Sequence, residues 1–476
     1  MKQEATSMSN ANSTSGGQRT FFIKWSVSLL IPLLLLCLPE SDGMTRPMIV
    51  FFAITTWAVL AWALGTVNDV VVGLALPLLY ILTGVIERKV AFSPWLSVLP
   101  SMVIGGLILG RVVMDTGLAK RIALWCVRLM GGTFTGALAG LTLATFIIAP
   151  FVPSIMGKAA ILSVVAIGLC EALEFQPKSR EASAVMIATF LAVASSKLCF
   201  LTGGGDVVLG MTLMGQASGI QVSWGQYAMH NLLPGLIYAT MSLGLVILLL
   251  RPSAACRGMR SVVEQKYAEL GPISRDEIKA GFVLLLTLIL LATDSLHHIS
   301  SGYVLLGIGL ITFLPGLDLM DGKKLSTVRF GVIFFIVGSM SIGAAAKTLG
   351  VAGWLSQQIM PLFHGADTLT AMLSAYVTGI GMNFLLTPLA AYATFTVPVT
   401  QIALDLGADP RPIVYAFQYG LDQYLFPYEF AVLLYFFASG LIAFKDLVTV
   451  MAARMVLTAL LLAGVAYPFW KMLELA

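Results

Sequence analysis

Two interrupted apolar stretches recur at matching places in the two halves of this chain, and that repetition constrains its fold more than any other feature. In the first half, Met102-Val103-Ile104-Gly105-Gly106-Leu107 leads into Asp115-Thr116-Gly117-Leu118-Ala119-Lys120-Arg121. In the second, Phe334-Phe335-Ile336-Val337-Gly338-Ser339 leads into Lys347-Thr348-Leu349-Gly350-Val351-Ala352-Gly353-Trp354. Each is followed by an apolar segment, then by a Pro/Ser/Thr-rich break inside another apolar segment. Of 476 residues, 58% are hydrophobic and 11% charged, where a soluble domain carries about 25% charged. That leaves too little polar surface to coat a globule, so lipid is the main solvent. In a membrane protein, broken apolar segments at corresponding positions of two halves point to a transporter's binding site.

The spacing of apolar runs predicts helices over 21–38, 48–64, 70–86, 95–114, 134–152, 184–200 and 229–250 in the first half. In the second half it predicts them over 282–296, 303–317, 330–346, 369–386, 412–425 and 452–470. At ~20 residues per crossing this gives about eleven full spans plus re-entrant segments. The 21–38 run follows a long polar lead, contains Pro32 and has no small-x-small site after it. It reads as an uncleaved first membrane helix rather than a signal peptide.

The expected organisation is a disordered Ser/Asn-rich tail over 1–20, a first membrane half over 21–250, a linker over 251–279 and a second half over 280–476. The linker carries Arg251, Arg257, Arg260, Lys266, Arg275 and Lys279. By the positive-inside rule it is cytoplasmic, and Lys2, Arg19 and Lys24 put the N-terminus on the same side. In 117–129, Lys120, Arg121 and Arg128 alternate with Leu118, Ile122, Leu124 and Trp125, the pattern of a helix lying in the interface. Residues 349–362 are its counterpart.

Cys37, Cys126, Cys170, Cys199 and Cys256 sit mostly in apolar runs without CxxC spacing, so neither disulfides nor metal ligation is expected. His230, His297, His298 and His364 show no metal-ligand spacing either. No Ser-His pair and no nucleotide-binding domain points to an enzyme or a pump, and the small net charge of +4 gives no reason to expect nucleic acid. No cofactor and no metal are expected.

The chemistry concentrates in four breaks. The first runs Pro150-Phe151-Val152-Pro153-Ser154, with Lys158 one turn further on. Proline interrupts the helix, and the freed N–H groups of the next half-helix suit an anion. A lysine inside an apolar stretch costs ~2.5–3.5 kcal/mol on insertion scales, so Lys158 should face a cavity or a partner. Snorkelling, or pairing with Glu171, is the structural alternative. The second break is Ser195-Ser196-Lys197-Leu198-Cys199-Phe200-Leu201-Thr202-Gly203-Gly204-Gly205-Asp206, where the glycines unwind the helix. Lys197 and Asp206 are either a local ion pair or parts of a site. The third contains Asn383, Thr387 and Pro388, with Pro388 aligned to Ser154. The fourth contains Asp422 and Glu429. Acids within a membrane segment are candidate proton carriers or ion ligands; the alternative for Glu429, two residues past Pro427 at a half-helix start, is a structural cap.

These residues resemble the divalent anion:sodium symporter family, whose members carry di- and tricarboxylates or sulfate. The similarity runs from about Pro47 to Trp470. It is carried by Thr116-Gly117-Leu118-Ala119-Lys120-Arg121-Ile122-Ala123, by Pro150-Phe151-Val152-Pro153-Ser154, and by Phe444-Lys445-Asp446-Leu447. Pro153-Ser154 followed by Lys158 is similar to a Pro-Ser-x-x-x-Arg variant of the family, with Lys for Arg. The resemblance implies an all-α polytopic membrane protein of two inverted repeats with re-entrant hairpins and unwound helices. It also implies a homodimer and an elevator-type motion, with Gly105, Gly106, Gly338 and Gly343 permitting close packing at a sliding surface.

In the family each hairpin tip bears a Ser-Asn-Thr signature that binds sodium and touches substrate. The corresponding positions here are Ser154-Ile155-Met156 and Pro388-Leu389-Ala390. Ile, Met and Leu offer no side-chain oxygen to a hard cation. The expectation is therefore a carrier of small divalent organic anions, C4-type dicarboxylates first, in an inner or plasma membrane. Its partners are the anion, the bilayer and either a counter-anion or a proton in place of sodium. Ser154, Lys158, Ser195, Ser196, Lys197, Thr202, Gly203, Thr387 and Pro388 are the candidate substrate residues. Lys158, Lys197, Asp206, Asn383, Asp422 and Glu429 are the candidate coupling residues. The alternatives are a sulfonate, monocarboxylate or sulfate carrier on the same scaffold, or an anion channel.

Overall fold

The computed structural model describes residues 21–41, 43–131, 133–252, 259–351, 354, 367–384 and 386–476. The expected N-terminal tail, Cys256, Arg257, His364 and most of the 349–362 helix lie outside them. The described elements are helices, with one isolated bridge between Ser41 and Met44. The expectation of an all-α fold holds.

Packing divides the chain into two compact units, each drawing on both sequence halves: Met1–Leu96 with Phe334–Gln358, and Ser97–Ile333 with Ile359–Ala476. The smaller unit holds α1 (Phe21–Leu36), α2 (Arg46–Leu64), α3 (Asp69–Leu82) and most of the helix Gly331–Leu349. Within it, Gly338 lies so close to α3 that an added Cβ would stand 1.8 Å from the Gly73 carbonyl oxygen. Only glycine permits that approach.

In the larger unit, α4 (Val98–Asp115) lies against α13 (Ser301–Ile311), and a Cβ on Gly105 would meet the Leu305 backbone at 2.3 Å. Between them in sequence come α5 (Leu118–Leu129), α6 (Phe134–Ile148), α7 (Ile155–Ala172), α8 (Arg180–Ser196) and α9 (Gly205–Ser218). Next are α10 (Trp224–Leu250), α11 (Met259–Ala268) and α12 (Arg275–Ala292). Counting Gly331–Leu349 as α14, the chain continues through α15 (Thr368–Asn383), α16 (Pro388–Asp405), α17 (Pro410–Leu421) and α18 (Ala431–Phe437). It ends in α19, which runs over Phe444–Met472 through one π-helical turn at Leu462–Ala466.

Among the described residues, α4, α7, α10, α14 and α19 are long and apolar enough to cross a membrane. The sequence spacing suggested about eleven such spans. Five further apolar helices, over Phe21–Leu36, Arg46–Trp62, Val70–Leu82, Phe134–Ile148 and Ser301–Ile311, are shorter. Segments 184–200 and 412–425 end early at the Gly- and Pro-rich breaks, leaving α8 and α17 at 17 and 12 residues.

Several helices expose apolar residues while burying polar ones. On α12, Ile278, Phe282, Leu285 and Ile289 are exposed, while Glu277 and Thr287 are buried. Such an exposed apolar stripe is what a lipid-facing helix requires. A helix forms at α5, over the stretch that carries the alternating basic and apolar residues. Its Arg121 Nε lies 2.6 Å from Glu277 Oε1, and its guanidinium also donates to the carbonyls of Leu270, Gly271 and Pro272. The described end of the linker is thus tied to α5. Burial opposes charge on Glu277, yet hydrogen bonds from Arg121 and from Ser274 hold its carboxyl below the usual carboxylate range.

Candidate functional site

The first and third breaks are built alike. α6 stops at Ile148; Pro150 and Pro153 then deny the chain two donors, and α7 starts after Ser154. The Ser154 Oγ accepts from Gly157 N at 3.1 Å, capping the new helix. α15 stops at Asn383, and α16 starts after Thr387, whose Oγ1 accepts from Ala390 N at 3.4 Å. Both new helices run for 18 residues. The register matching Ser154 to Pro388 is therefore corrected by one residue. Thr387 is the cap, and Pro388 occupies the first helical position, where a missing N–H costs nothing. One hydroxyl, not none, survives at the second tip.

The second and fourth breaks also share a plan. After α8, Phe200 turns extended (φ −131°, ψ 138°), a 3-10 turn covers Leu201–Gly203, and α9 resumes past Gly204. After α17, Phe426 turns extended (φ −119°, ψ 148°), a 3-10 turn covers Pro427–Glu429, and α18 begins past Phe430. Gly205 N donates to Pro153 O at 3.1 Å, joining the first break to the second. Thr202 Oγ1 adds to the junction: it donates to Pro150 O at 2.6 Å and accepts from Trp224 Nε1 at 3.0 Å.

Between these breaks lies a buried charge centre. Lys197 Nζ stands 2.8 Å from Asp206 Oδ2 and 3.2 Å from Asp422 Oδ1. Arg454 Nη2 stands 2.6 Å from Asp422 Oδ2, while its Nη1 donates to the Asp422 carbonyl at 2.9 Å. Tyr238 OH donates to Asp422 Oδ2 at 2.9 Å, and Tyr424 OH accepts from Lys197 at 3.3 Å. Arg454 further donates to Ser195 Oγ and Ser242 Oγ, and its guanidinium lies 4.6 Å from the centre of the Tyr238 ring. Charges buried this deeply persist only when paired and hydrogen-bonded, and here every lone pair of Asp422 has a donor close by.

Lys158 differs. It is fully buried in α7. Its Nζ donates to Gly203 O at 2.6 Å and to Ser196 Oγ at 3.4 Å. Among the described residues no carboxylate lies within 4.0 Å of it, so it neither snorkels nor pairs with Glu171, which is exposed. Three buried cations (Lys158, Lys197, Arg454) therefore face two carboxylates (Asp206, Asp422).

Of the residues singled out in the sequence, Ser195, Lys197, Asp206 and Asp422 join the charge centre, and Lys158, Ser196 and Gly203 form a second hydrogen-bonded set at the same break. Asn383 borders the charge centre and clamps the fourth break, with Nδ2 donating to Leu421 O (2.9 Å) and Gln423 O (2.7 Å). Thr387 and Pro388 shape the third break without a hydrogen bond to the centre. The Glu429 oxygens accept from the N–H groups of Leu425 and Phe426, each at 3.0 Å. Its carboxylate thus serves as the cap of its own turn. Arg454, Tyr238 and Tyr424 went unnoticed in the sequence. A lone arginine in the middle of a 29-residue apolar helix was the available signal.

A family model described as "Sodium:sulfate symporter transmembrane region" matches residues 19–476. The chain is 23% identical over 360 residues to dicarboxylate transporter 1, chloroplastic, of Arabidopsis thaliana, covering 71% of this chain and 62% of that one. It is 22% identical over 358 residues to the L-tartrate/succinate antiporter of Shigella sonnei, covering 72% and 73%. Among solved structures, the Alcanivorax borkumensis YdaH transporter matches with a TM-score of 0.54 at 16% identity, covering 83% of this chain and 88% of that one. That likeness is one of fold.

Proposed function

We propose that this chain, which belongs to the sodium:sulfate symporter family, is a secondary carrier of small organic anions that uses Lys158 where sodium-coupled relatives use a bound cation. One observation carries the reading. Lys158 is a buried cation with no carboxylate partner, at the junction of two helix breaks. A substrate carboxylate supplies the missing charge, and the N-terminal N–H groups of α7 favour the same anion.

One relative is named a dicarboxylate transporter and the other an L-tartrate/succinate antiporter, which supports C4 dicarboxylates carried by exchange as the substrate class. Ser154, Ser196, Thr202 and Gly203 line the same junction and complete the proposed substrate site, with Thr387 and Pro388 at the opposite tip. Lys197, held by two carboxylates, keeps the centre balanced when the site is empty. Asp422 is the better candidate for coupling to a proton, because it sits in the charge centre beside Lys197, whereas Glu429 bonds only its own turn. Sodium sites at the two tips are disfavoured by Ile155, Met156, Pro388 and Leu389, which follow the capping hydroxyls of Ser154 and Thr387 and offer no side-chain oxygen. The homodimer, the inverted relation of the repeats, the elevator motion and the cytoplasmic side of the linker belong to this same proposal, by analogy with the family.

The charge count favours a second reading, a singly charged anion. One carboxylate neutralises the one excess cation, whereas a dianion overshoots. Counterflow in proteoliposomes tests both. Labelled succinate should enter faster into vesicles preloaded with succinate, without sodium, and Lys158→Ala should abolish the uptake. Sodium-dependent uptake that survives Lys158→Ala would overturn the tethered-cation reading. Faster counterflow of a monocarboxylate than of any dicarboxylate would favour the second.

A further inference from the structure

Between residues 383 and 423, five buried polar atoms have no hydrogen-bond partner among the described residues: Asn383 Oδ1, Tyr392 OH, Gln418 Nε2, Tyr419 OH and Gln423 Oε1. Each such group costs about 1–3 kcal/mol in a folded core, and hydrocarbon offers no water to relieve it. Two of the five share one spot. Tyr392 on α16 and Gln418 on α17 are 0% and 1% exposed, and both abut Gly210 on α9. A Cβ at Gly210 would meet the Tyr392 ring at 2.6 Å and Gln418 Nε2 at 3.5 Å. Glycine at 210 is what lets these two side chains sit together.

The orientation of Gln418 is set from behind. Tyr227 OH donates to its Oε1 at 2.9 Å, which fixes the amide so that Nε2 is presented as a donor. Tyr392 offers a hydroxyl that can also donate. Gly210, against which both side chains lie, is one turn beyond Asp206 on α9. Two neutral donors thus converge beside the charge centre, each lacking an acceptor.

We infer that Tyr392 and Gln418 form a second, uncharged subsite that receives an oxygen acceptor on the transported anion, remote from the carboxylate held by Lys158. This rests on the carrier reading above and deepens it. The ligand class follows: a short organic acid whose far end carries a carboxylate, hydroxyl or carbonyl oxygen, in preference to one ending in a methyl group. A site built to hydrogen-bond an oxygen rejects the analogue that lacks it, because the donors are then left unpaired.

Succinate and butyrate make the test, since they share chain length and differ at one end. Binding of each to the purified full-length protein is measured by titration calorimetry in sodium-free buffer. The wild type should prefer succinate. Tyr392→Phe and Gln418→Leu should each cut that preference about three- to tenfold, the worth of one hydrogen bond, while leaving butyrate affinity unchanged. Gly210→Ala, which displaces the Tyr392 ring, should reproduce the loss. Lys158→Met should lose both ligands. A preference unchanged in both Tyr392→Phe and Gln418→Leu would overturn the subsite and leave the carrier reading standing, as would an equal loss of both ligands in those variants. A wild type that binds neither acid would overturn the carrier reading, and the subsite with it.

Discussion

Arg454 and Asp422 form a double contact in the buried centre: one guanidinium nitrogen on the carboxylate at 2.6 Å, the other on the same residue's carbonyl at 2.9 Å. α19 is thereby bonded to the C-terminal end of α17, where the helix has already broken. Because both side chains are fully buried, breaking the pair costs about 3–5 kcal/mol; without Arg454, Asp422 keeps only Lys197, which it shares with Asp206. Arg454→Met should therefore lower the thermal midpoint of the purified protein strongly. Arg454→Met combined with Asp422→Asn should recover a large part of that loss, since the remaining Lys197–Asp206 pair stays intact. A double variant no more stable than Arg454→Met alone would contradict the coupling.

Glu429 and Asp422 should separate in function. Glu429 accepts two backbone N–H groups of its own turn, so Glu429→Gln removes one of two charge-assisted bonds. The expected cost is about 1–3 kcal/mol of stability, with the pH dependence of transport unaltered in shape. Asp422→Asn should instead flatten that dependence. Uptake measured across pH for the two variants decides it; a flattened profile in Glu429→Gln would return that residue to the coupling role.

A third prediction concerns the clamp between α5 and α12. The Glu277 carboxyl is held below its usual range despite burial, by Arg121 and Ser274. A carboxyl depressed in the folded chain contributes fully above its unfolded pKa of ~4.3, and loses that contribution as pH falls through the lower folded value. Glu277→Gln should thus be less stable than wild type by about 1–3 kcal/mol at pH 7. The gap should close as pH falls below about 4. Thermal denaturation of both proteins across this range is the measurement; a gap independent of pH would show that the charge is not what matters.

The positions of the breaks were legible in the sequence because Pro and Gly announce them, and so was Lys158, as a charge that apolar neighbours could not solvate. The register of the third break was not, since Thr387 and Pro388 are both plausible at a helix start. Only the geometry shows the hydroxyl one residue ahead of the proline. Arg454 was passed over inside an apolar run because its partners are remote in sequence: Asp422 is 32 residues away, Ser242 is 212 and Ser195 is 259. Spacing rules read a helix against its own neighbours, whereas this centre is assembled from α8, α9, α10, α17 and α19. The grouping of the chain into packed units had the same obstacle, since each unit draws on segments far apart along the sequence.

The double contact of Arg454 also bears on how the protein is made. Asp422 leaves the ribosome 32 residues before the arginine that balances it, and Lys197 and Asp206 precede both. Until α19 enters the bilayer, two carboxylates share the single ammonium of Lys197, with Lys158 the nearest spare charge. The last long helix therefore brings Asp422 its second close cation: a chain that stops short of residue 454 leaves that acid with Lys197, which it must share with Asp206.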